Sequence, residues 1–485
     1  MEPNRRPKNL LLIFCDQLRY AALGCNGNTV CRTPWMDSLA ADGVCFDKAY
    51  TQTPVCMPAR YGLLDGKNPC RLGIWDNALC DVPVTTALPA VIKKQGHFTC
   101  SVGKMHYNPP REHYGFDRRY LSEEITAHFD DDDFLQFLAA HGYGGIAEPQ
   151  GRRSEHYYEP QVSVLPPQMH TTGWTGTVSC EFIRKNADRP WFLVSSFIKP
   201  HPPFDPSAIY LAPYLGKEMD KPVGGTPLNA SDLSIHDQND YKVNGAENLT
   251  PEYIEELRRH YYASVTQIDD QVGAIISQLK VLGLYDDTLI ILTSDHGEML
   301  GDNNAVGKRT YYDSSCHIPM IVSCPSLFRG GWRSDEPVTL EDVYATLVDG
   351  SGAKIPESSE GISLLPLCRG ETQHTRDMIF CGFGFAEQRK LAVIAKERKY
   401  IYTVNGGREY LLDAAEQENL AEKEPETVQT LRRALCDWAK KWELDIFDGD
   451  ALRQTPYFPA RPRRGYLNQY PHWPATVPHA PVEKT

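Results

Sequence analysis

No stretch of this 485-residue sequence approaches the ~20 apolar residues that cross a bilayer as a helix. Basic residues precede an apolar run near the start, but only Leu10 to Phe14 is continuous before Cys15-Asp16-Gln17. A signal peptide needs an apolar core of roughly 7–15 residues and a small-residue cleavage site. The run therefore reads as a first buried strand, and the expected location is cytoplasmic, or periplasmic were a longer native N-terminus to precede it. None of the 14 cysteines forms a C-x-x-C pair, which sets aside a structural zinc site of that type. A disulfide framework suits short secreted chains, so most of these cysteines are expected to be inert buried thiols. Positive charge is also short: 50 Lys and Arg stand against 63 Asp and Glu, a net charge of −13. That argues against nucleic acid or an anionic membrane as partner. A small anionic substrate stays possible, because a few convergent cations can hold one inside an acidic protein. No internal repeats are visible.

What is present is the composition of a globular protein, 41% hydrophobic and 23% charged. Apolar runs at Lys8–Phe14, His97–Val102, Trp191–Ile198, Thr288–Thr293 and Ile318–Ser323 read as buried strands. Helical patterns lie between them, the clearest from Pro251 to Leu282, where apolar residues recur at three- and four-residue steps. Pro251 suits its first turn, Glu252 its positive end, and Gly283 its stop. Alternation of buried strands and helices predicts an α/β fold with a large, mainly parallel sheet flanked by helices. Residues 106 to about 190 show weak periodicity and read as irregular, with the acidic run Asp130–Asp133 as a solvated face. From about residue 375, short strand-like pieces and a helix near 426–442 suggest a smaller antiparallel-sheet subdomain. The expected organisation is a catalytic domain over 1–370, that subdomain over 371–452, and a Pro-, Arg- and aromatic-rich tail over 453–485. The tail is expected to pack over the body or a neighbouring protomer, a possible route to a homo-oligomer.

The segment carrying most chemistry is TPVCMPARYGLLDG. Pro58 fits a first helical turn, which puts Cys56 at a helix N-terminus, where unpaired N–H groups favour an anion. Arg60 stands one turn along on the same side. Read alone, this is a nucleophile beside an anion cradle, or a buried cysteine near a proline-containing turn. Asp16, Lys104, His201 and Asp295 each fall just past the carboxyl end of a predicted strand, where open parallel sheets bind ligands. Helix caps, surface lysines and loop histidines are the plainer alternatives for each.

Cys56, Pro58, Arg60, Leu64 and Gly66 resemble the sulfatase signature Cys-x-Pro-x-Arg followed by Leu-x-Gly, with Asp65 where Thr is usual. Further elements follow in family order: Asp16-Gln17, Lys104 with His106, His201 in a Pro-His-x-Pro element, Asp295-His296, and Lys308. The resemblance is to the formylglycine-dependent, Cys-type sulfatases of the alkaline phosphatase superfamily, and it implies that fold. It also implies oxidation of Cys56 to formylglycine (3-oxoalanine) by a maturase. One divalent metal, Ca²⁺ first and Mg²⁺ or Mn²⁺ as alternatives, would be held by Asp16, Gln17, residue 56, Asp295 and His296. Many sulfatases carry Asp at the position of Gln17 and Asn at that of His296, which leaves His296 as a ligand or as a neighbour of the sulfate. By the same resemblance Arg60, Lys104 and Lys308 face the transferring group. His201 serves as general acid, and His106 takes the proton that releases sulfate. The expected substrate is a small anionic sulfate ester, foremost a sulfated sugar. Arg152, Arg153, His156, His170 and Trp174 form a candidate pocket wall, and Arg461, Arg463 and Arg464 supply further cations. The alternatives are a phosphonate monoester or phosphodiester hydrolase, a two-metal phosphatase or phosphoglycerate mutase with Asp295-His296 and Asp313 with His317 as ligands, and an inactive binding homologue.

Overall fold

A computed structural model describes residues 5–77, 82, 84–126, 128–153, 158–224, 250–372 and 375–457. Eight strands form the main sheet: β1 (Asn9–Asp16), β2 (Val44–Tyr50), β3 (Phe98–Gly103), β4 (Arg118–Leu121), β5 (Trp191–Pro200), β6 (Thr288–Ser294), β7 (Met320–Ser323) and β8 (Trp332–Thr339). Their order is β4-β3-β5-β1-β6-β7-β2-β8. Every pairing is parallel except those of β7, which runs against both β6 and β2. This is the mainly parallel α/β sheet expected from the sequence.

The pleat of β1 explains how both faces are covered. Successive side chains point to opposite faces, and all eight residues of β1 are buried. Leu11, Ile13 and Cys15 join one core, and Leu10, Leu12 and Phe14 join the other. Helix α1 (Cys56–Asp65) covers the second face through Ala59 and Leu63. Helices α2 (Thr171–Lys185) and α3 (Pro251–Val281) cover the first through Phe182, Ile183, Leu257, Tyr261 and Val265. Helix α4 (Leu340–Ser351) completes the second through Val343, Tyr344 and Leu347. Each buried apolar side chain of this size contributes roughly 1.5–3 kcal/mol. Helix α3 begins as expected: Pro251 stands in its first turn, and the Thr250 side chain accepts from Tyr253 N–H.

A second, antiparallel sheet of β9 (Met378–Phe383), β10 (Lys390–Ala395), β11 (Lys399–Thr403) and β12 (Arg408–Leu412) has the order β12-β11-β10-β9. Helix α5 (Pro425–Lys441) packs on it through Val428, Leu431 and Leu435.

Residues 106–190 are more regular than expected, since β4, a helix over Asp133–Ala140, and α2 all lie there. The sequence of α2, TTGWTGTVSCEFIRK, is poor in strong helix formers. Its glycines answer a packing need: a Cβ on Gly176 would collide with the Gln271 side chain of α3. The acidic run is also corrected. Asp130 is exposed, but Asp132 is buried and caps the helix that follows by accepting from Leu135 N–H. All described cysteines are free thiols, and no helix among the described residues is long and apolar enough to cross a membrane. The tail cations Arg461, Arg463 and Arg464 lie outside the described residues, as does His156.

Candidate active site

Four neighbouring strands, in the order β3-β5-β1-β6, end on one rim of the sheet. Lys104 follows β3, His201 follows β5, Asp16 ends β1, and Asp295 follows β6. Parallel strands bring all four carboxyl ends together. Two local devices turn the chain at this rim. A register shift falls between Cys15 and Asp16. Gly103 has φ 93°, and a Cβ there would run into Ser196 O, so no other residue fits before Lys104. Gln17, His106 and Arg309 hold left-handed backbones, with φ of 68°, 58° and 74°. Strained backbone of this kind clusters where surrounding structure imposes a geometry.

Helix α1 starts at Cys56, with Pro58 in its first turn. The Cys56 side chain is 1% exposed. Its Sγ lies 2.8 Å from Lys308 Nζ, 3.2 Å from His296 Nε2 and 3.8 Å from Asp16 Oδ1. Burial pushes this thiol up, but Lys308, Lys104, His296 and His106 outweigh it and hold it well below its ordinary value. The site therefore favours negative charge at position 56. The helix N-terminus contributes less than expected, because Asn77 Oδ1 already accepts from Met57 N–H at 3.0 Å.

Ligand atoms of Asp16, Cys56, Asp295 and His296 lie within 4.8 Å of one another, all buried. Arg60 draws Oδ2 of each carboxylate to itself: Nη2 reaches Asp16 at 3.2 Å and Nε reaches Asp295 at 2.9 Å. The two Oδ1 atoms face His296 Nε2 at 3.7 and 3.6 Å. His296 Nδ1 meets Gly297 O at 3.0 Å, which assigns the proton to Nδ1 and turns the Nε2 lone pair inward. Two carboxylate oxygens and an inward imidazole nitrogen are a donor set that fits a divalent cation. The Gln17 side chain donates to Glu298, and its amide oxygen accepts from Lys308 Nζ at 3.1 Å.

Arg60 does not sit as expected. Its remaining donor Nη1 bonds Lys104 O at 2.8 Å and Ser196 Oγ at 3.2 Å, so the guanidinium braces the rim. Lys104 Nζ bridges Asp16 Oδ2 at 2.5 Å and Glu124 Oε2 at 2.9 Å. His201 is buried, with Nδ1 on Pro202 O at 2.9 Å and Nε2 3.4 Å from Glu124 Oε2. The His106 N–H donates to both carboxylate oxygens of Glu123, and the His106 Nδ1 is buried with no hydrogen-bond partner among the described residues. The candidate catalytic and metal-donor residues thus meet at one place, with Asp16 between the metal donors and the cations.

Sequence reasoning missed Glu298, Glu123 and Glu124, which have no signal beyond lying next to site elements. Glu298 fixes the Gln17 amide and also accepts from Leu300 and Gly307 N–H. The candidate pocket wall largely dissolves. His170 caps α2, Trp174 is buried in the core, and Arg152 is exposed and pairs with Glu159. Among its described members only Arg153 reaches the site, through Glu124. Asp313 pairs with Lys399 at 2.6 Å, while His317 stacks on Tyr20 with centroids 3.8 Å apart. That leaves the two-metal reading without its second ligand pair. Asp65, the departure from the signature, is buried and pins the following loop by accepting from Thr85 and Thr86 N–H.

Known proteins resemble this chain in sequence and in fold. Residues 8–353 match the family described as Sulfatase, and residues 301–419 match the one described as N-sulphoglucosamine sulphohydrolase, C-terminal. An arylsulfatase of Clostridium perfringens is 30% identical over 480 residues, covering 92% of this chain and 97% of that protein. The phosphonate monoester hydrolase of Agrobacterium radiobacter superposes with a TM-score of 0.77 at 24% identity, covering 93% of this chain and 100% of the other. A protein solved with its substrate D-glucosamine-2-N,6-O-disulfate gives 0.72 at 21% identity, covering 92% and 99%. The two solved structures share the fold. With the family match spanning most of its length, the chain belongs to the sulfatase family and is a sulfuric ester hydrolase.

Proposed function

We propose that this protein hydrolyses a sulfate monoester of a carbohydrate, using a formylglycine that a maturase makes from Cys56 and one divalent cation, with Ca²⁺ the first choice. The observation that carries the reading is the position of Cys56 Sγ, which belongs both to the metal-donor group and to the cation cluster through Lys308. Asp16, Asp295, His296 and residue 56 would hold the cation, with the Gln17 amide oxygen beside them. The bound cation would supply positive charge next to the nucleophile and the transferring group. A formylglycine would supply a hydrated aldehyde, a nucleophile able to release its sulfate by returning to the carbonyl. Lys308 and Lys104 bring fixed charge to the sulfate oxygens, the kind of preorganised electrostatics that dominates group transfer. Arg60 keeps the two aspartates aligned. His201 delivers a proton to the leaving alcohol oxygen. His106, beside residue 56, accepts the proton whose loss expels sulfate. The family match named for N-sulphoglucosamine sulphohydrolase supports a sugar as the group that carries the sulfate.

A second reading is phosphonate monoester or phosphodiester hydrolysis, favoured by the likeness in fold to the Agrobacterium enzyme. Sulfate monoesters and phosphate diesters carry the same single charge, so the cations do not separate them. Parallel turnover of an aryl sulfate, an aryl phosphonate and a panel of sulfated mono- and disaccharides does. The expected result is sulfate release from sugars, and a strong preference for phosphonate would overturn the proposal. Mass spectrometry of the peptide around Cys56 in native protein is expected to show the thiol-to-aldehyde mass loss.

A further inference from the structure

We propose that Glu124 determines charge selectivity in this site, favouring singly charged tetrahedral esters over doubly charged ones. The inference rests on the roles given above to Lys104 and His201. Glu124 follows β4 on a firmly built turn. Ser122 Oγ meets Thr171 Oγ1 at 3.0 Å, and Glu123 N–H donates to the buried Asp132 at 2.8 Å. The Glu123 carboxylate accepts from Met105 and His106 N–H, each at 3.0 Å. The loop after β3 and the turn after β4 are thereby locked together, and Glu124 has little room to swing away.

Its carboxylate, 11% exposed, stands where the site's cations converge. Oε2 lies 2.9 Å from Lys104 Nζ and 3.4 Å from His201 Nε2, and Oε1 lies 2.7 Å from Arg153 Nη1. Burial pushes this carboxyl up, but His201, Lys104 and Arg153 hold it well below the usual carboxylate range, so it is charged. Lys104 is also paired with Asp16. An ester that reaches Lys104 therefore meets a cation whose charge is already shared with two carboxylates, beside a His201 that burial disfavours in its charged form. One negative charge on the ester is matched by Lys308 and the remaining field. A second is added against Glu124, and a unit charge about 6 Å away at an effective dielectric near 20 alters an equilibrium tenfold or more. Arg153 tempers this repulsion, because it neutralises part of Glu124 from the far side and also bonds its carbonyl at 2.7 Å.

The test compares p-nitrophenyl sulfate with p-nitrophenyl phosphate at a pH where the phosphate is a dianion. The two share a leaving group, so any loss of proton donation by His201 falls on both alike. In Glu124→Gln the ratio of kcat/KM for phosphate over sulfate is expected to rise about tenfold relative to wild type. In Arg153→Met, which leaves Glu124 less neutralised, the ratio is expected to fall severalfold. Where Glu124→Gln folds it decides the matter, and a parallel fall for both esters or an unchanged ratio overturns the proposal. Where it does not fold, Arg153→Met decides by the same criterion with the opposite sign. A wild type that prefers phosphonate would overturn the sulfate reading separately, since the charge ratio is read between variants and not from the wild-type preference.

Discussion

Arg60 shows how one buried side chain can hold a site together. It pairs with Asp16 and Asp295 and is 3% exposed. Removing one member of a buried charge network leaves the others uncompensated, at a cost of about 3–5 kcal/mol. Arg60→Met is expected to lose stability of that order in urea unfolding of metal-free protein, and to lose metal affinity as well. A second residue gives a pH signature. Burial lowers His317 from an ordinary value near 6.5 to about 4, with Asp313 opposing and Lys399 assisting. The folded state then binds fewer protons than the unfolded one, so stability rises with pH. The contribution is complete above about 6.5 and disappears as pH falls toward 4, a loss of roughly 3 kcal/mol. In urea titrations across that window, His317→Gln is expected to climb less steeply than wild type, whatever its absolute stability.

At the scale of elements, the buried strands and α3 were legible because an apolar run of strand length, or a clean 3.6-residue period, fits few structures besides the one it forms. Asp16, Lys104, His201 and Asp295 were legible for the same reason: each marks a strand end. What stayed hidden were elements whose residues answer tertiary needs. Helix α2 carries Gly173 and Gly176 because Pro167 O and Gln271 leave no space for a Cβ, and those glycines erase its helical signature. Strand β4 is four residues long with alternate exposure, too short to stand out. Glu123 and Glu124 were hidden because a carboxylate pair after a short edge strand looks like surface. Arg60 stands on the expected side of its helix, but spacing does not say what that side holds, here Asp16, Asp295 and Lys104 O. Gly103 belongs to this scale too. Gly103→Ala must place a Cβ against Ser196 O at a left-handed φ, so β3 and β5 would have to separate where Lys104 leaves the sheet. A loss above ~2 kcal/mol is expected, read as a lower Tm together with loss of activity.

Over the whole molecule, the site gathers carboxylates that repel one another unless cations lie between them. Dialysis against a chelator is expected to abolish turnover and lower Tm, and Ca²⁺ is expected to restore both. At a free concentration of about 100 times Kd, a ligand specific for the folded state adds about 2.7 kcal/mol. A Tm indifferent to Ca²⁺, Mg²⁺ and Mn²⁺ would contradict the donor set described for Asp16, Asp295 and His296. Lys399 ties the two sheets at the same scale, since from β11 it reaches Asp313, in the segment between β6 and β7, and Glu416, which follows β12.

The reversed direction of β7 has a practical consequence. Because β7 runs against β6, the segment from Asp295 to Pro319 leaves and re-enters the sheet at the same rim, with no crossover to the far edge. That one excursion delivers Asp295, His296 and Lys308, while Asp16, Lys104 and His201 come from separate strands. It behaves as a cartridge with both ends anchored on adjacent strands. Exchanging its middle between relatives would re-tool the surroundings of Lys308 without re-threading the sheet.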